Sequence, residues 1–261
     1  MFFDLSTFNF CQLDLESDKL AVAGSDRDLT WKELLNEVDK RKEELLSYRI
    51  PKGHPVIIYG HKEADFIVLM VACMSLGFPY TPIDTIYPKD KLLKISEDLN
   101  SGVLFDLSTG ITSVDCSKFD TFFNHQDPII YILFTSGSTG KPKGVQITQQ
   151  SILSFKMWLS SDFGFDKNSV FMNQAPFSFD LSVYELIAFL TVGGTIILND
   201  RSTIGNEYLF LNRLSKYKCN VWVSTPSFIS RLLMSKDFNS RTLSKLKTFL
   251  FCGETLKSNS C

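Results

Sequence analysis

Short apolar segments alternate with helix-forming segments along most of this 261-residue chain. Residues 55–59 and 80–83 predict strands, and the apolar run 66–78 between them predicts a helix buried on all sides. Parallel strands need a crossover segment between them, so this alternation favours a parallel arrangement. The predicted fold class is α/β, with mixed, largely parallel sheets and helices on their faces.

The alternation continues to the end of the chain. Further strands are expected at residues 103–107, 131–134, 144–148, 195–198, 221–224 and 248–251, and helices at 31–46, 90–99, 148–158, 182–193, 207–217 and from Pro226 onward. Two Thr/Ser-x-x-Glu patterns, Thr30 to Glu33 and Ser182 to Glu185, predict capping boxes at helix starts. Residues 108–127 are polar and weakly patterned, which predicts a surface connection.

Composition excludes several classes of function. The net charge of −2 gives no basic field for nucleic acid or an anionic membrane. The six cysteines form no CxxC pair, which favours a reducing cytoplasm over a disulfide framework or a zinc site. The three histidines lack metal-ligand spacing, so no metal site is expected. The start lacks the basic residues of a signal peptide, and the run 66–78 is too short for membrane insertion.

A hydroxyl-rich glycine loop is the strongest local signal. It reads Thr135-Ser136-Gly137-Ser138-Thr139-Gly140-Lys141-Pro142-Lys143-Gly144. Glycines let the backbone approach a ligand, and successive N–H groups form an anion-binding concavity. The hydroxyls donate hydrogen bonds, and the lysines neutralise negative charge. Pro142 and the following strand exclude a Walker A loop, which leads directly into a helix. The pattern favours polyphosphate binding over a flexible surface turn.

An acidic residue among aromatic side chains is the second signal. Asp180 follows Phe177 and Phe179 just before a predicted helix. A buried carboxylate needs a partner, which a substrate ammonium group would supply; the alternative is that Asp180 caps the helix. The chemistry alone supports the two interpretations about equally, although the capping box expected at Ser182 would leave Asp180 free to bind a substrate.

These motifs resemble those of adenylate-forming enzymes. The loop, together with the strand 131–134 before it, is similar to their phosphate-loop signature, and Phe179-Asp180-Leu181-Ser182-Val183 resembles the Phe-Asp-x-Ser-Val motif of amino-acid-activating members. Segments 56–61, 80–85, 173–183 and 249–254 resemble the D-alanine–D-alanyl carrier protein ligase family. The likeness extends over nearly the whole chain.

The resemblance implies a two-step reaction and a set of site residues. ATP, with Mg²⁺, would be bound by Thr135, Ser136, Gly137, Ser138, Thr139, Gly140, Lys141 and Lys143; D-alanine by Asp180 and Cys252; and the adenine edge would lie near Gly253 and Glu254. D-alanyl-adenylate would form, and its acyl group would pass to the phosphopantetheine thiol of a D-alanyl carrier protein for teichoic acid D-alanylation. Cys252 would select the hand of the substrate, although a cysteine taken alone more often belongs to a core.

Several parts of that family pattern are absent from these 261 residues. No Tyr-Gly-Pro-Thr-Glu motif follows Glu254, and the small C-terminal domain with its catalytic lysine is not present. We therefore expect residues 1–261 to form a truncated N-terminal adenylation domain that is inactive alone. Two alternatives stay open, namely a peptide-synthetase adenylation fragment for another amino acid and an inactive remnant.

Overall fold

The computed structural model describes residues 17–119, 127–135 and 142–256. Most strands are short apolar segments, as the sequence pattern predicts. They are β1 (Leu20–Ala23), β2 (Asp28–Thr30), β3 (Val56–Gly60), β4 (Tyr80–Asp84), β5 (Val103–Asp106), β6 (Ile111–Val114), β7 (Ile129–Thr135), β8 (Lys143–Thr148), β9 (Val170–Asn173), β10 (Thr195–Leu198), β11 (Val221–Ser224) and β12 (Thr248–Phe251).

Helices connect most of these strands. They are α1 (Trp31–Ser47), α2 (Ala64–Leu76), α3 (Lys89–Leu99), α4 (Gln149–Asp162), α5 (Leu181–Val192), α6 (Arg201–Gly205), α7 (Glu207–Lys216) and α8 (Pro226–Leu232). The capping box at Thr30 and Glu33 is confirmed, since both reciprocal hydrogen bonds are present. Gly193 ends α5 with a φ of 66°, a left-handed conformation that glycine adopts without steric cost.

The strands form two mixed sheets, and the predicted fold class is confirmed. The first has the order β12-β11-β9-β10-β1-β2, parallel except for β2 at its edge. The second has the order β6-β5-β3-β4-β7-β8, in which the two outer strands run antiparallel to their neighbours. Each sheet therefore has a parallel centre whose strands end at one common edge.

Helices α2 and α5 form the centre of the main core. Ten of the 13 residues of α2 and ten of the 12 residues of α5 are buried, and side chains from both helices and both sheets share one hydrophobic cluster. A helix that is apolar around its whole circumference is stable only in such an interior. No helix in the described ranges is long and apolar enough to cross a membrane.

The structure corrects some of the expected elements. Residues 111–114 of the expected surface connection form β6, which extends the second sheet beside β5. The box expected at Ser182 is wrong, because α5 begins at Leu181 and Ser182 already lies in its first turn. The Ser182 hydroxyl instead donates to the Phe179 carbonyl at 2.7 Å, and Glu185 is buried elsewhere.

Candidate active site

The carboxyl ends of the parallel strands carry the residues with the most chemistry. His61 follows β3, Asp84 ends β4, Thr135 ends β7, Asn173 ends β9 and Cys252 follows β12. In open α/β sheets, ligands bind outside this edge, because the chain leaves each strand there in a loop. The site is therefore expected where the strand ends of the two sheets face the same space.

A first cavity, of about 430 Å³, opens at the end of β7. It is lined by Tyr87, Lys91, Tyr131, Leu133, Phe134, Thr135, Pro142, Val145, Ile147, Ser178, Phe179 and Asp180. Thr135 and Lys143 are exposed partners in the β7–β8 register, so they flank the loop at its two ends. Ser136, Gly137, Ser138, Thr139, Gly140 and Lys141 lie outside the described residues. The described part brings Thr135 and Asp180 to one cavity.

Asp180 occupies the N-cap position of α5 but does not cap it. Its backbone is helical, and its side chain makes no capping hydrogen bond in the described part of the chain. The residue is exposed, whereas the sequence led us to expect a buried carboxylate. Burial, with the nearby Asp180 charge as a smaller cause, raises the pKa of Tyr131 in the cavity wall. Asp180 thus supplies a negative charge at the cavity mouth.

Ser178 was not identified from the sequence. Its hydroxyl is buried, has no hydrogen-bond partner among the described residues, and belongs to the wall of the first cavity. A serine between two phenylalanines has no distinctive sequence pattern, so only the structure reveals it. A buried hydroxyl without a partner beside a cavity is suited to bind a polar ligand atom.

A second cavity, of about 700 Å³, lies against the first. Its lining is His61, Asp84, Ile86, Tyr87, Gln174, Ala175, Pro176, Phe179, Leu181, Arg201, Ile204, Gly205 and Thr225. Tyr87 and Phe179 line both cavities, and Phe179 is 49% exposed. The two cavities therefore meet at two aromatic side chains.

A buried carboxylate organises the polar side of the second cavity. Asp84 accepts from Arg201, from the Ile86 backbone N–H at 2.8 Å, and from Nδ1 of His61 at 2.6 Å. Burial and the nearby cations Lys62 and Arg201 lower the pKa of His61 to about 4. The imidazole is neutral at pH 7, so Nδ1 carries the proton donated to Asp84.

A buried polar network lies behind the segment that joins β9 to Asp180. Lys62 is fully buried and donates to Asn173 Oδ1 and to the Ala175 carbonyl, the latter at 2.5 Å. Asn173 Nδ2 donates to Glu185 Oε2 at 2.7 Å, and the Val223 N–H donates to Oε1 at 3.2 Å. Burial lowers the pKa of Lys62 and raises that of Glu185. Since both oxygens of Glu185 accept hydrogen bonds, the geometry favours a charged Glu185, which Asn173 links to Lys62.

The end of β12 carries the other predicted site residues. Cys252 is exposed, and its backbone N–H donates to the Ser224 carbonyl at 3.1 Å. Gly253 has a φ of 85°. The carboxylate of Glu254 accepts from the N–H of Ser227 at 2.9 Å and from its hydroxyl at 2.8 Å. The side chain of Glu254 is thus held at the start of α8, and Cys252 lines neither described cavity.

The described residues do not form a metal cage of their own. No group of three or more His, Cys, Asp or Glu side chains in the described ranges is arranged to hold an ion. Mg²⁺ is usually bound in proteins by one or two carboxylates together with substrate phosphates. The hydroxyls of Thr135 and Ser178 and the ammonium of Lys91 in the lining of the first cavity are donors that suit phosphates.

Comparison with known proteins decides the family. The sequence profile described as "AMP-binding enzyme" matches residues 12–260. The chain belongs to the AMP-binding enzyme family. The D-alanine–D-alanyl carrier protein ligase of Bacillus licheniformis is 36% identical over 261 residues, which are 94% of this chain and 52% of that protein. The ligase of the same name from Bacillus cytotoxicus is 36% identical over 259 residues, 92% of this chain and 51% of that protein.

Solved structures of adenylate-forming enzymes share the fold of this AMP-binding enzyme. ATP-bound MatB from Rhodopseudomonas palustris has a TM-score of 0.82 at 20% identity, over 100% of this chain and 56% of that one. The peptide synthetase FmoA3, with α-methyl-L-serine-AMP bound, has a TM-score of 0.85 at 19% identity, over 100% of this chain and 31% of that one. The chain spans about half the length of the curated relatives it matches.

Proposed function

We propose that this chain provides the phosphate loop and the amino-acid side of a D-alanine–D-alanyl carrier protein ligase. The observation that carries the proposal is that Thr135 and Asp180 line one cavity at the carboxyl ends of the strands. The names of the Bacillus relatives support D-alanine as the amino acid. The product would be the thioester from which teichoic acids receive D-alanine, in the cytoplasm.

In the first step, the carboxylate of D-alanine attacks the α-phosphorus of ATP, giving D-alanyl-adenylate and pyrophosphate. The loop residues 135–141 and Lys143 hold the phosphates, which also carry Mg²⁺. Asp180 pairs with the substrate ammonium, so the carboxylate points toward phosphorus. A carboxylate is a weak nucleophile and ATP is highly anionic, so catalysis rests on positioning and charge neutralisation.

In the second step, a phosphopantetheine thiol attacks the acyl carbonyl carbon; it loses its proton, and AMP leaves. The second cavity suits that arm, because it is mostly apolar and shares Tyr87 and Phe179 with the first. Cys252, which lines neither described cavity, would have to approach the bound substrate to crowd one side of its Cα. The backbone at Gly253 and Glu254 faces the adenine, since the Glu254 carboxylate is already bound to Ser227.

We propose further that residues 1–261 form one incomplete adenylation domain that does not turn over alone. The chain covers only about half of each Bacillus relative. Substrate positioning and electrostatic stabilisation act together in catalysis, so half of an active site does not give half of the rate. The remaining groups of the site, including the lysine of the C-terminal domain, would come from a further segment or a second polypeptide.

The test is pyrophosphate–ATP exchange by a chimera. The chain is joined to the remaining half of the Bacillus licheniformis relative, and exchange is measured with D-alanine, L-alanine and a bulky amino acid, with the intact relative as the active control. We expect D-alanine-dependent exchange by the chimera and none by the 261-residue chain. Equal or better exchange with the bulky amino acid overturns the D-alanine assignment. A folded chimera with no exchange for any amino acid overturns the proposed activity.

A further inference from the structure

The second cavity contains a buried ring nitrogen that has no hydrogen-bond partner among the residues that the structure describes. His61 is 8% exposed and lines this cavity, and its Nε2 atom makes no hydrogen bond within the described residues. Natural proteins satisfy nearly all buried polar atoms with protein, water or ligand groups. An unpaired ring nitrogen beside a cavity therefore indicates a ligand atom or an ordered water in that cavity.

Asp84 fixes which kind of partner Nε2 can take. A carboxylate only accepts hydrogen bonds, so the 2.6 Å contact requires the proton of the neutral imidazole to be on Nδ1. Arg201 and the Ile86 N–H occupy further lone pairs of Asp84 and hold it as a carboxylate facing the ring. Nε2 is then an acceptor only, and its partner must be a donor.

The apolar lining around His61 limits which hydrogen-bond donor can bind there. The cavity wall is largely aliphatic and aromatic, with Ile86, Pro176 and Leu181 among its members. A phosphopantetheine arm is an aliphatic chain that carries two amides and one hydroxyl, and each amide N–H loses its water when the arm enters an apolar channel. A buried acceptor offsets that loss for one of the amides.

We propose that Nε2 of His61 accepts a hydrogen bond from an amide N–H of the carrier's phosphopantetheine arm, so that His61 determines specificity in the thiol-transfer step. This inference rests on the proposed function of the second cavity. Asp84 is a positioning residue in it, because it acts by fixing the tautomer and the orientation of the ring. Adenylation does not use this contact, so only the transfer step depends on it.

The experiment measures binding of free pantetheine to the 261-residue chain by NMR of ¹⁵N-labelled histidines. We expect the His61 Nε2 resonance to start at the position of an unprotonated nitrogen and to shift as pantetheine is added. His61→Phe should raise the Kd for pantetheine about tenfold, and His61→Gln, which keeps an acceptor, should restore part of the affinity. An alkyl thiol of similar length without amides should bind the wild type and His61→Phe equally.

Thr191→Val is the matched control. The Thr191 hydroxyl is also buried and has no partner in the described part of the chain, but it lines neither cavity, so this variant should bind pantetheine as the wild type does. A Kd that changes less than about twofold in His61→Phe overturns the inference and indicates that water satisfies Nε2. Absence of pantetheine binding overturns both the inference and the proposed second cavity. Loss of D-alanine exchange in the chimera, with His61-dependent pantetheine binding intact, counts only against the proposed adenylation.

Discussion

Lys62→Met tests whether the buried network holds its charged form. The side chain of Lys62 is fully buried, and Glu185 is 1% exposed, so loss of the ammonium leaves a carboxylate without a cationic partner in the core. Lys62 and Glu185 are joined through Asn173, and removing one charge from such a buried ionic network costs about 3–5 kcal/mol. At a urea m-value of roughly 2–3 kcal/mol/M, the unfolding midpoint should fall by about 1.5 M.

The assay is urea unfolding of the 261-residue chain, followed by the fluorescence of its three tryptophans. The double variant Lys62→Met/Glu185→Gln should be less destabilised than the sum of the single variants by at least about 1.5 kcal/mol, because no unpaired charge remains. Lys40→Met, which breaks an exposed pair with Glu37, should change the free energy of unfolding by less than about 1 kcal/mol. Additivity of the two core substitutions within about 0.5 kcal/mol would refute a coupled ionic pair.

Four further predictions concern single side chains. Asp180→Asn in the chimera should raise the Kd for D-alanine, measured by calorimetry, and leave the Kd for ATP unchanged. The expected rise is only about tenfold, because Asp180 is exposed and its charge is partly screened. Cys252→Ala should lower the D/L preference in exchange, and an unaltered ratio would leave Cys252 without a role in selection. Glu254→Gln should lower the free energy of unfolding by about 1 kcal/mol, because it weakens two bonds to Ser227, and an unchanged urea midpoint would contradict this. The pKa of His61 is about 4 in the folded chain and about 6.5 in the unfolded chain. The free energy of unfolding should therefore be highest above pH 6.5 and fall by up to about 1.4 kcal/mol per pH unit toward pH 4. The variant His61→Phe should flatten that slope.

Much of the fold followed from local patterns. The apolar run 66–78 contains most of α2, and the glycines at 193–194 end α5 where the sequence predicts. Strands β1, β2 and β9, which have only three or four residues, were not predicted from the sequence. Their stability comes from neighbouring strands in the sheet, which no local window contains.

The candidate site was less predictable than the fold. The loop and the Phe-Asp-x-Ser-Val segment are contiguous in sequence, so their pattern was visible. Lys62 and Asn173 are 111 positions apart, and a lysine before a helix is usually a solvated residue. Likewise, the histidines were assigned no role from spacing, since the contact between His61 and Asp84 joins two different strand ends. Pairings of this kind depend on the sheet order.

The segment 173–180 links the buried network to both proposed half-reactions. Lys62 holds its start through Asn173 and Ala175, and its end presents Phe179 to both cavities and Asp180 to the first. A shift of this segment would move the ammonium partner and the wall of the second cavity together. We therefore expect Lys62→Met in the chimera to weaken D-alanine binding and pantetheine binding alike, whereas His61→Phe weakens only the latter. Binding measurements on these two variants distinguish the role of Lys62, which supports both cavities, from that of His61, which contacts only one ligand. An unchanged D-alanine affinity in Lys62→Met would mean that the buried network contributes to stability alone.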